Sequence, residues 1–281
     1  MVKYCNRDCQ IAHRSQHKKA CKKRAAELHD EKLFRQPPPQ EEDCPICFLR
    51  MPYLETGKRY MSCCGKTICS GCIHTPVYDH EGNVVDDTCP FCRSPPPTSE
   101  QDEMQRIQKL VEAGNAKAVH MVGVYYDVGM YGLHQDYAKA SEFYHRAAKL
   151  GHATSYYQIG VVNDFGRGVE VDKKKARHYY ELAAMRGDKT ARYNLGASEE
   201  NAGNMDRALK HYMIAVRDGE YVSLETIRKM IKIGRAAKDD YAKALRSYQS
   251  YLDEVKSDQR DKAAAARENH KYIELLCTRE V

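Results

Sequence analysis

Eight of the chain's twelve cysteines fall within residues 44–93, about a sixth of its 281 residues. They make three spaced pairs, Cys44-Pro-Ile-Cys47, Cys69-Ser-Gly-Cys72 and Cys89-Pro-Phe-Cys92, with the doublet Cys63-Cys64 between the first two. Two intervening residues let a tight turn aim two thiolates at one tetrahedral ion. One such pair fits a redox couple as well; three within fifty residues point to metal, and predict a module with two zinc ions. A second cluster, Cys5, Cys9, His17 and Cys21, lies near the N-terminus. His17 and Cys21 fall on one face of a helix, one turn apart, so both can reach one ion. This cluster predicts zero or one further zinc in residues 1–21.

The elements that must position these ligands divide the chain. A basic helix running on from the first cluster through residues 22–29 is expected to end at Pro37-Pro38-Pro39, because proline lacks the amide hydrogen and clashes with the previous turn. Residues 37–43 then form a stiff polar linker. Ser94-Pro95-Pro96-Pro97 opens a second spacer over residues 94–101, expected to hold the cysteine-rich module at a roughly defined distance from the C-terminal part of the chain. Beyond residue 101 the chain repeats itself. Ala140, Ala176, Ala208 and Ala244 recur at 36, 32 and 36 residues, and Gly123, Gly160 and Gly196 recur in the same phase. A period in the middle thirties with paired helical patterns predicts a solenoid of antiparallel helix pairs. The first pair is predicted over residues 116–126 and 136–150, with Asp136 and Asp172 as N-caps and glycines such as Gly151 closing the second helices. Tyr144, Tyr180 and Tyr212, at matching positions, are expected to fill the spaces between helices. The predicted organisation is therefore multidomain: 1–36, 44–93, an all-α solenoid over 102–257, and a solvent-facing capping helix over 258–281.

Composition narrows the function. The net charge of +6 resides in residues 1–36, which hold ten Lys or Arg against four Asp or Glu; the remainder carries 35 of each sign. A short basic helix is no nucleic-acid footprint by itself, and nothing else suggests base readout. No run approaches the ~18 apolar residues of a membrane helix, and the N-terminus lacks the apolar core of a secretory signal. An intracellular setting, cytoplasmic or nuclear, is expected, where cysteines hold metal more often than disulfides. No phosphate-binding glycine loop, nucleophile triad or carboxylate pair is present. Six histidines scattered through the repeats, His120 to His211, have no ligand spacing and read as packing or surface residues.

Three family resemblances refine these expectations. The stretch Cys64-Gly-Lys-Thr-Ile-Cys69-Ser-Gly-Cys72-Ile73, with Cys89-Pro-Phe-Cys92-Arg93, resembles a RING finger. That resemblance implies that the first and third pairs share one zinc and the second and fourth share the other. Lys66 stands where the family often has a ligand histidine, so the eighth ligand is expected from Cys63, with His74 second and an incomplete site third; His80 is a further substitute. Residues Tyr4 to Cys21 resemble the C-terminal half of a MYND finger. Residues Gly166 to Gly187 closely resemble a Sel1-like repeat, a relative of the tetratricopeptide repeat.

RING resemblance implies ubiquitin ligase activity with no catalytic residue of the chain's own. A charged ubiquitin-conjugating enzyme would be held in a reactive pose, with Ile46 and Pro90 facing that enzyme and Arg93 bridging it to ubiquitin. The family's mid-module tryptophan is missing, leaving Val77 or Tyr78 for that contact. Sel1 resemblance implies a protein partner bound on the helical repeats. The competing expectation is a non-catalytic zinc-stabilised adaptor.

Overall fold

A computed structural model describes residues 14–37, 43–76, 81, 88–267 and 270–273, with side chains from residue 19 onward. Cys5, Cys9, Val77, Tyr78, His80 and Cys277 lie outside the described residues, as does the His17 side chain.

Twelve helices and one hairpin are described. Helix α1 (Arg14–Leu33) carries the basic segment. The cysteine-rich module comes next: a 3-10 turn (Glu55–Gly57), strands β1 (Lys58–Met61) and β2 (Lys66–Cys69), and short helix α2 (Ser70–His74). The strands pair antiparallel, Lys58 opposite Cys69 and Met61 opposite Lys66. Then comes the array: α3 (Glu100–Glu112), α4 (Ala116–Val128), α5 (Tyr137–Lys149), α6 (Ala153–Phe165), α7 (Lys173–Met185), α8 (Lys189–Asn201), α9 (Met205–Arg217), α10 (Tyr221–Lys232), α11 (Lys238–Val255) and α12 (Asp258–Ala266).

The expected caps form. The carboxylates of Asp136 and Asp172 accept from the amides of Lys139 and Lys175 at 3.0 and 2.9 Å, satisfying donors that the first turn leaves unpaired. Gly151 and Gly187 close the second helices at φ +94° and +93°, where a Cβ would be strained.

Packing between paired helices repeats one device. A Cβ on Gly123, Gly160 or Gly196 would stand 2.8, 2.5 or 2.6 Å from the ring of Tyr144, Tyr180 or Tyr212. Each tyrosine hydroxyl then donates to a carboxylate four residues beyond the glycine: Asp127 at 3.5 Å, Asp164 at 3.2 Å and Glu200 at 3.0 Å. The ring fills the notch and its polar tip is satisfied, as a buried tyrosine requires. These carboxylates lie in phase with the repeat, yet by type alone they resemble ordinary solvated acids.

Three expectations change. Helix α3 begins at Glu100, inside the predicted spacer, because Ser99 caps it by accepting from Asp102 N–H at 3.1 Å. The spacer is a strap: Arg106 of α3 donates to the carbonyls of Pro95 and Pro96 at 2.7 and 3.4 Å. Within the predicted cap over 258–281, the described residues place α12 at Asp258–Ala266, and it turns one face inward, with Arg260 and Ala263 fully buried.

The module therefore lies against the array. At one end Tyr60 joins the core cluster of Ile107, Val111 and Val119, and its hydroxyl donates to Asn115 at 3.1 Å. Ser62 donates to Glu103 at 2.6 Å, and Lys117 to Thr67 at 3.1 Å. At the other end Tyr53 packs on the cluster of Leu224, Tyr248 and Tyr251, and its amide donates to the Tyr251 hydroxyl at 2.7 Å. Arg50 bridges Asp218 and Glu254 at 2.8 and 2.6 Å. The module spans the array from its first helices to its last. Separately, α1 docks by its C-terminal end. Leu33 is fully buried beside α7, and Arg192 donates to its carbonyl at 2.5 Å.

Candidate metal centres

Two knuckles of the same build carry the outer cysteine pairs. In the first, Phe48 N–H donates to the Cys44 carbonyl at 2.8 Å and Cys44 N–H to the Leu49 carbonyl at 3.0 Å. In the second, Arg93 N–H donates to the Cys89 carbonyl at 2.9 Å and Cys89 N–H to the Ser94 carbonyl at 2.8 Å. Closing each turn takes the residue after the second cysteine into the left-handed region, Phe48 at φ +57° and Arg93 at +62°. Non-glycine residues rarely sit there. The backbone thus spends local strain to aim two sulfurs the same way.

The inner pairs are placed by the hairpin. Cys63 and Cys64 occupy its turn, which Gly65 closes by donating to the Met61 carbonyl at 2.8 Å with φ +69°. Cys69 ends β2 and Cys72 sits on α2. Adjacent cysteines look strained for one site in an extended chain; a tight turn resolves this by letting both side chains leave the same side.

These four segments bring eight sulfurs into two groups of four. Cys44, Cys47, Cys69 and Cys72 form one and Cys63, Cys64, Cys89 and Cys92 the other, with all sulfurs of a group within 4.8 Å of one another. Individual separations are 3.9 Å for Cys44–Cys72, 3.8 Å for Cys47–Cys69, 3.9 Å for Cys64–Cys89 and 3.4 Å for Cys63–Cys92. A tetrahedron with metal–sulfur bonds of about 2.3 Å has edges of about 3.8 Å. Disulfides are far shorter, at about 2.05 Å. Both groups could hold a metal ion, and four-cysteine sets of this size fit zinc.

Electrostatics point the same way. Hydrogen bonding with Cys69 and then Cys72 pushes the Cys44 thiol far down, while the bond with Cys44 pushes Cys72 far up. In the second group burial raises Cys63 strongly and takes Cys64 to about 11. Cys92 feels the same burial, but hydrogen bonds with Ser94 hold it at about 6. Sulfurs this close cannot all ionise alone; a dication at the centre removes the conflict.

His74 takes no place in either group: it is exposed and lies edge-on to His270 at 6.1 Å. Cys63 supplies the fourth sulfur of the second group instead. Ile46 and Pro90 are half-buried on the two knuckles and Arg93 is exposed. Cys21 is half-buried on α1, away from both groups. The surroundings of the first group have no counterpart in the sequence pattern. Arg260 from α12 reaches Cys47 Sγ at 3.9 Å, and no signal along the chain connects residues 213 positions apart.

Among the described residues no helix is long and apolar enough to cross a membrane. Residues 116–152 and 153–188 match the Sel1 repeat family, so the solenoid carries Sel1 repeats. Over 82 residues the chain is 34% identical to E3 ubiquitin-protein ligase GW2 of Oryza sativa, in both its indica and japonica subspecies. That stretch is 26% of this chain and only 18% of the relative's length. Among solved structures, a Sel1 repeat protein from Oxalobacter formigenes is 26% identical, covering 59% of this chain and 64% of that one at a TM-score of 0.47. The protective antigen c5321 of uropathogenic Escherichia coli, of SLR fold, is 22% identical over 62% of this chain and 42% of its own, also at 0.47.

Proposed function

We propose that residues 44–93 form a two-zinc, cross-braced RING-like finger that holds a ubiquitin-charged conjugating enzyme, while the Sel1 repeats hold a protein substrate. The observation that carries this reading is the interleaving: the first and third cysteine pairs converge, as do the second and fourth. Each ion ties segments distant in sequence, which gives a shape to a module whose fully buried apolar side chains beyond cysteine are few, chiefly Met51 and Ile68. The short stretch of identity to a ubiquitin ligase supports the same reading.

Such a finger contributes orientation and no reacting group. Ile46 on one knuckle and Pro90 on the other flank the surface that would meet the conjugating enzyme. Arg93, held in its left-handed turn, would present a planar five-donor head to ubiquitin, a role lysine fills poorly. The test is chain formation by zinc-loaded protein with a panel of conjugating enzymes. Chains that fall at least tenfold in Ile46→Ala and Arg93→Ala are expected. Absence of chains with every enzyme in the panel overturns the ligase reading. One observation favours a second reading, a non-catalytic adaptor. Helix α2 of the finger packs against α12, which narrows access to that side of the module.

A further inference from the structure

The first cysteine group is met by a cation from outside the finger. Arg260 on α12 is completely buried. Its Nη1 donates to the carbonyls of Arg50 and Val255 at 2.9 and 2.6 Å, and its Nη2 lies 3.9 Å from Cys47 Sγ. Gly71, between Cys69 and Cys72, is what permits this approach. A Cβ there would stand 2.8 Å from Arg260 N and 3.0 Å from the carbonyl carbon of Gln259. Helix α12 thus rests backbone to backbone on the turn that carries two of the four sulfurs.

A buried guanidinium is expensive unless an opposite charge compensates it. The two carbonyls supply dipoles and no net charge, and among the described residues no carboxylate lies within ion-pair distance of Arg260. Four thiolates around a zinc dication leave a charge of about −2 at the centre, which needs compensation in turn. The two surpluses are neighbours.

We propose that Arg260 is the positioning and charge partner of the Cys44/Cys47/Cys69/Cys72 centre, so that zinc loading there and the docking of α12 on the finger stabilise one another. The inference rests on the reading of that group as a zinc centre. Outer partners of this kind usually change metal affinity by about 10–100-fold. Linkage makes the effect mutual: what α12 adds to zinc binding, zinc adds to α12 docking. The second centre has a different neighbour, the Ser94 hydroxyl 3.3 Å from Cys92 Sγ, and serves as the internal control.

The experiment uses the full chain, with zinc content measured first and release then followed with a coloured chelator. Arg260→Met keeps length and removes charge; Arg260→Lys keeps charge and loses the planar fork. In Arg260→Met one of two zinc ions should leave about tenfold faster or more and the other at the wild-type rate, with Arg260→Lys in between. In the wild-type chain, stripping zinc should raise amide exchange across residues 258–266 while α6 and α7 keep their protection. Should Arg260→Met not fold, Arg260→Lys and the exchange measurement decide the matter. Absence of zinc from the wild-type chain defeats the underlying metal reading. Two bound zincs released at wild-type rates from the variants, or α12 protection indifferent to zinc, overturns the proposal itself.

Discussion

At the scale of single residues, the fourth sulfur of the second group shows how position outweighs chemical preference. A histidine is a ready zinc ligand, yet His74 is exposed beside His270, while Cys63, the residue expected ahead of it, sits 3.4 Å from Cys92. Zinc content should therefore fall from two ions per chain to one in Cys63→Ser and stay at two in His74→Ala, as read by elemental analysis. A loss in His74→Ala would mean that the hairpin turn rearranges when metal binds. Glycine carries an equally local consequence in the repeats. Gly160→Ala places a methyl group 2.5 Å from the Tyr180 ring, and overpacking of that order costs about 1–3 kcal/mol. Urea denaturation should register that loss with no change in zinc content.

Among the elements, α1 is the solvated basic helix that its composition suggests over most of its length, with one exception at its C-terminal end. Its last turn is an anchor. Leu33 is fully buried, and the ring of Phe34 lies 4.7 Å from His211 and beneath Arg207 at 5.0 Å. Leu33→Ala should cost about 2–5 kcal/mol if α1 stays docked, and less if it detaches. Amide exchange over residues 19–33 separates the two, since detachment exposes the helix while the rest of the array keeps its protection. The strap over residues 94–99 is a comparable case: a proline-rich segment that reads as a spacer in isolation is tied down by Arg106 and Asp102 of α3.

For the whole molecule, charge networks join elements that the chain keeps far apart. Glu199 is nearly inaccessible and is contacted by Arg177 of α7 and Arg207 of α9, and Arg207 also pairs with Asp30 of α1 at 2.5 Å. Burial alone would raise its carboxyl, but hydrogen bonds from Arg177, Asn204 and Arg207 outweigh that and hold it at about 2, below the ordinary 4.5. A folded-state value below the unfolded one contributes stability that is present above about pH 4.5 and disappears as pH falls towards 2. The contribution is about 3 kcal/mol at most. Glu199→Gln should be destabilised near neutrality and show a shallower loss of helical circular dichroism between pH 4.5 and 2 than the unaltered chain. Identical acid transitions would dismiss the network as a determinant of acid stability.

Patterns that repeat along the chain are readable from residue order: the cysteine pairs, the period of the helix pairs, the caps at Asp136 and Asp172, and the glycine–tyrosine contacts. Each depends on neighbours within a turn, a helix or one repeat, where spacing and conformation are nearly equivalent. Tertiary structure alone decided where α1 and α12 end up, and that the cysteine-rich module lies against the array. Those outcomes depend on long-range contacts such as Arg50 with Asp218 and Arg260 with Cys47, 168 and 213 positions apart. Nothing in local propensity distinguishes such an arginine from a solvated one. Only the burial of its charge beside a compensating partner does.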